Sequence, residues 1–425
     1  MKTTKRQRIV TSMILIGMLA PIVAGCAQDE AQAEFAASKA ERDTSPDVGE
    51  GDLTESVAGN SAFAFDLYQA LRDETGNLFF SPYSISVALA MTYAGARGET
   101  ERQMAETLHF TLPQERLHPA FNALDLELRS TERDDFKLHI ANAIWGQIGY
   151  SFLSEFLDVL ARNYGAGLRL LDFEKEPEAS RQAINDWVSE QTEKKIKDLI
   201  PSGGITRDTT LVLSNAIYFD ADWEQPFAKA RTADGVFNTL DGREVTVPMM
   251  SMSEPASLPY AAGQGYQVVE LPYKGGEMSM VILVPDAGQF EAFEGVLDAG
   301  RVEAILGELE PKQVDLKLPK FSYESSFSLA QKLAEMGMPN AFKGADFSGM
   351  DGTDQLFISE VFHKAFVAVD EAGTEAAAAT AVVVGRMALP MVDIQLVVDR
   401  PFIFIIRDVN NGTVLFVGRV LNPQA

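Results

Sequence analysis

Val369–Pro390 reads VDEAGTEAAAATAVVVGRMALP, two sequences joined end to end. From Glu371 to Val384 the residues are mostly small or β-branched. From Gly385 to Pro390 comes a short loop carrying Arg386 and Met387. Alternate positions from Thr374 are Thr374, Ala376, Ala378, Thr380, Val382 and Val384, none of them large or charged. The other set, Glu375, Ala377, Ala379, Ala381 and Val383, holds the only charge. A β-strand turns alternate residues to opposite faces. The segment can therefore enter a sheet as a strand, with its small face over a core and Glu375 towards water. The plain alternative is a helix or a flexible alanine-rich linker, because Ala is the best helix former. The flanks weigh against it, since Ile358–Asp370 and Val392–Val398 are both strand-like. A link of roughly twenty residues between strands is long for a compact domain, and such loops are functional or disordered.

The chain has 425 residues, enough for one to three domains, and a formal net charge of −25. That charge argues against nucleic-acid binding, which needs a basic face. Residues 1–25 read as a targeting segment: Lys2, Lys5, Arg6 and Arg8, then an apolar run Ile9–Ala24 broken by Pro21. The run is short for a membrane span. It ends in Val23-Ala24-Gly25-Cys26, which resembles a bacterial lipobox whose Cys26 carries a diacylglycerol; the alternative is an ordinary signal peptide with a chance cysteine. If cleaved before Cys26, the chain loses four basic residues and its charge becomes about −29. Cys26 is the sole cysteine, so no disulfide is available. Residues 26–57 are rich in Ala, Glu, Asp, Ser and Gly and read as a lipidated cysteine followed by a disordered tether. This places the protein in a bacterial cell envelope, lipid-anchored, on the periplasmic side or the cell surface. Residues 58–425 show no repeat and no second linker and read as one domain.

Within that domain helical and strand patterns are interspersed. Asn60–Arg72 suits an amphipathic helix. A strand-like LFF precedes a helix starting at Ser81 with Pro82 at its first position. Ala179–Leu199 reads as a helix carrying Trp187, and Ser326–Met338 as another. Thr210–Phe219 is a buried strand holding Asn215, and Gln313–Phe321 alternates as a strand. Gln267–Pro285 reads as a hairpin turning at Lys274-Gly275-Gly276, and Pro401–Val420 as one turning at Asn410-Asn411-Gly412. No regular βαβ rhythm appears, which favours α+β with mixed or antiparallel sheets.

These stretches carry a resemblance. NLFFSPYSISVALAMTYAGARGETERQM, LSNAIYFDADWEQPF, VVELPYKGG, LPKF, MGMPNAFKGADFSGM, ISEVFHKAFVAVDEAGTEAAAATAV and VDRPFIFIIRD…GTVLFVGRVLNP, in that order, are similar to the serpin family from Ala58 to the C-terminus. The resemblance implies about nine helices around three sheets, a metastable native state and an exposed reactive-centre loop. It implies suicide inhibition of a serine or cysteine protease. The protease cuts the loop and forms an acyl-enzyme; the freed strand then inserts into the central sheet and drags the enzyme along. Thr374 to Met387 spans ~43 Å at ~3.3 Å per residue.

Glu371, Gly373, Thr374, Glu375, Ala376, Ala377, Ala378, Ala379 and Thr380 match the inhibitory hinge of that family. Counting seventeen residues from Glu371, the length usual in that family, puts the reactive bond at Met387–Ala388, suited to an elastase-, chymotrypsin- or subtilisin-like protease. A loop one residue shorter puts it at Arg386–Met387, suited to a trypsin-like one; Arg386 is otherwise a solubilising charge. Ser81, Ser84, Asn215 and His363 match a polar cluster where the central sheet opens, His363 otherwise being a satisfied core histidine. Trp223 and Lys320 match positions where the loop first enters, and Lys320 is expected to pair with Glu371 before cleavage.

The alternatives come from other classes. One is a non-inhibitory serpin, a protease substrate with a binding or chaperone-like role. The other is a hydrolase, which the residues disfavour. His109, His118, His139 and His363 show no HExxH spacing, no GxSxG elbow exists, and Cys26 lies in the targeting segment. No catalytic residues, metal site or cofactor are expected, and Thr111–Arg133 shows no basic stripe for a glycosaminoglycan. The expected partners are a target protease and, through Cys26, a membrane. The chain is expected to be a monomer prone to loop–sheet polymers.

Overall fold

The computed structural model describes residues 33–131, 136–374 and 392–424. The helices are α1 (Asp52–Leu71), α2 (Pro82–Tyr93), α3 (Gly98–Thr107), α4 (Gln114–Ser130), α5 (Ser154–Tyr164), α6 (Pro177–Gln191), α7 (Phe290–Glu294), α8 (Ala299–Gly307), α9 (Ala330–Met336) and α10 (Ser348–Asp351). The strands are β1 (Glu34–Ala36), β2 (Leu78–Phe80), β3 (Phe136–Gln147), β4 (Leu168–Leu171), β5 (Leu211–Asp222), β6 (Ala233–Asn238), β7 (Glu244–Ser251), β8 (Ala256–Gly263) and β9 (Tyr266–Pro272), followed by β10 (Met278–Pro285), β11 (Glu310–Pro319), β12 (Phe321–Ser328), β13 (Ile358–Val369), β14 (Gly373–Thr374), β15 (Ile394–Val397), β16 (Phe402–Asp408) and β17 (Val414–Val420). The fold is α+β. Seven strands form a central sheet in the order β1-β4-β3-β5-β14-β13-β12. Ten form a second sheet, β2-β17-β16-β10-β9-β8-β11-β7-β6, with β15 on β11. The expected third sheet, β6, β7, β11 and β15, is continuous with the second through the β8–β11 pairing.

Both expected hairpins form. β9 and β10 pair antiparallel across Lys274–Glu277, where Gly275 (φ 91°) and Gly276 (φ 79°) take the left-handed backbone that a tight turn needs. β16 and β17 pair across the Asn410–Gly412 turn. Ser81 caps α2, its hydroxyl accepting from the Ser84 amide, with Pro82 at the first position. α2 runs buried between the two sheets, and almost every one of its residues is inaccessible.

Four expectations are corrected. The disordered reading of 26–57 fails from residue 33 onward. β1 pairs with β4, Arg42 bonds Asn122 (2.9 Å) and Asp125 (2.6 Å), and the Asp43 amide donates to Arg162 O. Composition alone does not encode these tertiary bonds. The first helix starts at Asp52, eight residues before the expected Asn60, because buried Asp52 is held by Arg116 of α4 and accepts from the Gly49 amide. α6 stops at Gln191 and not at Leu199, since Glu193, Lys194 and Asp198 take positive φ of 49°, 64° and 50°. The helix expected from Ser326 begins at Ala330; Phe321–Ser328 is a strand, as the alternating burial of Phe321, Tyr323 and Ser325 requires.

Candidate functional site

The central sheet holds a long parallel seam at its middle. β5 and β13 run parallel and pair directly over eight residue pairs, from Ile358↔Leu211 to Phe366↔Tyr218. Parallel pairing is slightly weaker per residue than antiparallel. At the top of the seam β5 and β13 separate, and β14 lies between them. Gly373 pairs with Asp222, and Thr374 with Ala221 on one side and Val369 on the other. β14 is antiparallel to both neighbours. Thr374, expected to be the first residue of an entering strand, is already seated and fully buried.

Gly373 is required here by close approach. A Cβ on it would lie 2.0 Å from Ala221 O and 2.8 Å from Asp222 Cα. The turn before it is tied down from several sides. The Trp223 amide donates to Ala372 O (2.8 Å), its indole N–H to Asp370 O (3.1 Å), and the Phe227 amide to Glu371 O (2.9 Å). Lys320 Nζ lies 2.7 Å from Glu371 Oε2, the pairing expected from the sequence, and Thr232 donates to Oε1 at 2.7 Å. Burial alone would raise the Glu371 carboxyl, but the bonds from Lys320 and Thr232 outweigh it and hold it below the usual carboxylate range. Beneath the hinge the Tyr273 hydroxyl meets Thr374 Oγ1 at 2.7 Å, and its ring stacks on Trp223 at 4.5 Å. Sequence reasoning missed Tyr273 and Thr232. Tyr273 sits within the quoted LPYKGG stretch, but only the register shows what it faces.

Midway down the seam, Asn142, Asn215 and His363 lie in one row across β3, β5 and β13. Asn215 Nδ2 donates to Ser84 Oγ (2.7 Å) and Asn142 Oδ1 (2.5 Å), and Ser84 Oγ donates to the same Asn142 oxygen (3.0 Å). The Ser81 amide donates to His363 Nε2 at 3.3 Å. That nitrogen must therefore be an acceptor, so Nδ1 carries the proton and donates to Asn215 Oδ1 across the seam. Burial drives the imidazole down to about 3, so His363 is neutral at ordinary pH. Ser81, Ser84, Asn215 and His363 thus come together as expected, and Asn142 completes them. Sequence reasoning missed it; the one signal was the triplet Asn-Ala-Ile at 142–144 and again at 215–217, and it is the register that sets Asn142 against Asn215.

The outer face of the seam is clamped. Ile196, Leu199, Ile200 and Ile205, following α6, pack in one apolar cluster with Ala216 of β5 and Phe362 of β13. Lys364 Nζ donates to Lys197 O at 2.9 Å, and Asn185 exchanges two bonds with Ile200. Three left-handed non-glycine residues fall in this strap, a concentration of strain of the kind found at moving parts.

Glu375, Ala376, Ala377, Ala378, Ala379, Thr380, Arg386, Met387 and Ala388 lie outside the described residues, as do Cys26 and the segment 1–25. Among the described residues no group of three or more His, Cys, Asp or Glu could hold a metal ion.

The site is thus a closed parallel seam with the first two residues of an antiparallel strand lodged in its mouth. The family model described as Serpin (serine protease inhibitor) matches residues 58–423. An uncharacterized serpin-like protein of Thermococcus kodakarensis is 41% identical over 378 residues, covering 88% of this chain and 87% of that one. The leukocyte elastase inhibitor of Sus scrofa is also 41% identical, over 377 residues, covering 86% and 99%. The native-state structure of the thermophilic serpin tengpin superposes with a TM-score of 0.81 at 29% identity, covering 92% and 100%. The chain belongs to the serpin family.

Proposed function

We propose that this chain is a suicide inhibitor of serine proteases that traps the acyl-enzyme by inserting its cut loop into the central sheet. The observation that carries the reading is the seating of Thr374 between Ala221 and Val369. After cleavage the remaining strand would continue that register. Each step down the loop moves one residue back along both β5 and β13, so residue 380 falls opposite Asn215 and His363 together. Insertion separates those two side chains and breaks their bond; the Thr380 hydroxyl arrives between them. One parallel ladder is replaced by two antiparallel ones, which supplies the driving force. The elastase-inhibiting relative supports the choice of Met387–Ala388 as the bait, with Arg386–Met387 as the other candidate bond. The lipobox-like Cys26 supports anchoring at a bacterial envelope.

The test mixes residues 27–425 with trypsin, chymotrypsin, elastase and subtilisin in turn. Denaturing gels look for a covalent complex, and intact mass identifies the released C-terminal peptide. A complex with a peptide starting at Ala388 is the expected result. Cleavage by every enzyme with no complex refutes inhibition in favour of a non-inhibitory serpin. For the anchor, Cys26→Ala in the full chain should move the protein out of the membrane fraction; retention there refutes lipidation.

A further inference from the structure

Tyr273 stands at the mouth of the seam. Its ring is fixed, stacked on Trp223 at 4.5 Å and 11° and edge-on to Phe219 at 5.0 Å. The residue is 1% exposed, and among the described residues its hydroxyl meets one partner, Thr374 Oγ1, at 2.7 Å. The two ends of this bond are unequal. If the hinge slips out of the sheet, Thr374 reaches water, while Tyr273 cannot follow and its hydroxyl is left buried without a partner. A buried donor orphaned in this way is costly. The penalty falls on the withdrawn hinge and favours the seated one.

We infer that the Tyr273 hydroxyl is a latch that keeps Thr374 pre-seated in the uncut protein, making Tyr273 a positioning residue for the first step of strand insertion. The inference rests on the inhibitor reading for its consequence and on the described geometry for its existence. A latched hinge starts insertion from residue 374 and need not first find the seam. Because the acyl-enzyme survives only if insertion outruns deacylation, the latch sets the fraction of encounters that end in a trap.

The test uses Tyr273→Phe, which keeps the stacked ring and removes one oxygen. Hydrogen exchange followed by mass spectrometry on the peptides holding 221–223 and 369–374 reads the seat directly, without any protease. Exchange there should quicken about ten-fold, the scale of an orphaned hydroxyl, with exchange elsewhere unchanged. After loop cleavage, insertion, followed as the gain of heat resistance, should slow by a similar factor, while the rate of loop cleavage stays at the wild-type value. Thr374→Ser, which keeps a hydroxyl, should behave as wild type. Tyr273→Phe combined with Thr374→Ala should be no worse than either alone. Equal exchange in wild type and Tyr273→Phe overturns the latch, as do fully additive effects in the double variant. Failure of the inhibitor reading looks different: wild-type protein would form no complex while the exchange difference persisted.

Discussion

Replacing Thr374 by Arg should leave a folded protein that proteases digest instead of one that traps them. Thr374 is fully buried and sits against the Tyr273 phenol. An arginine there would bring a charge into the core, at an effective penalty of several kcal/mol for an uncompensated ion. The protein has another option, which is to leave the hinge outside. Withdrawal gives up the pairings of Gly373 and Thr374 with Asp222, Ala221 and Val369. At about 1 kcal/mol per net hydrogen bond, with the Tyr273 hydroxyl orphaned besides, this costs about 3–5 kcal/mol. The native fold therefore survives with an unseated hinge. After cleavage the strand must still push residue 374 through the mouth of the seam first. A barrier raised by about 4 kcal/mol slows that step by about a thousand-fold, at 1.4 kcal/mol per decade. Deacylation then wins. The assay is the molar ratio of inhibitor needed to silence one equivalent of protease, read beside the covalent complex on denaturing gels. A Thr374→Arg protein that forms complex at the wild-type rate and ratio would refute entry by way of Thr374.

Three further outcomes follow from the same geometry. Acid should destabilise the protein before its carboxylates titrate. Burial holds His363 near 3 and His118 near 4 against an ordinary 6.5. Below about pH 6.5 the unfolded chain therefore binds protons that the native one refuses, and stability falls by about 1.4 kcal/mol per pH unit per histidine. Urea unfolding between pH 7 and pH 4.5 checks this; a flat profile, or an unchanged slope in His363→Gln, would contradict it. Lys320→Ala leaves the buried Glu371 carboxylate without its cation and should lower stability by about 1–3 kcal/mol, with faster exchange of the 369–374 amides. Unchanged thermal unfolding would show the pair to be ornamental. Asn142→Ala removes the shared acceptor of Ser84 and Asn215 and should cost about 2 kcal/mol, with loop–sheet polymers forming at lower temperature on heating. A variant that stays monomeric to the wild-type temperature would free Asn142 of any role in closing the seam.

The expectation that Thr374 leads a strand into the sheet came from small residues alternating in a way that neither a core helix nor a solvated loop requires; of that run the structure describes Gly373 and Thr374 alone. The polar row was half legible. Asn215 and His363 interrupt apolar strands, and buried polar groups must find partners. Asn142 drew no reading because Phe136–Gln147 was not singled out as a strand. The strap after α6 misled because Lys195–Leu199 continues a helical pattern, while three left-handed residues fold it back over the seam. The segment from residue 33 misled for the opposite reason. Its acidic, alanine-rich composition is that of a disordered chain, and its order comes from β4, α4 and α5, which only the folded protein brings within reach.

On the inhibitor reading, those three left-handed residues would also set a trade between shelf life and speed. Glu193, Lys194 and Asp198 each hold a backbone that costs about 1–3 kcal/mol for a side chain with a Cβ. The strap over the seam is thus fastened less tightly than its apolar contacts would allow. Glycine at Lys194 would relax the backbone, and the closed clamp would last longer in storage or in heat. The same change would make the clamp slower to lift when a cut strand needs passage. Residues that never meet a protease would in this way tune how long the spring keeps and how fast it fires.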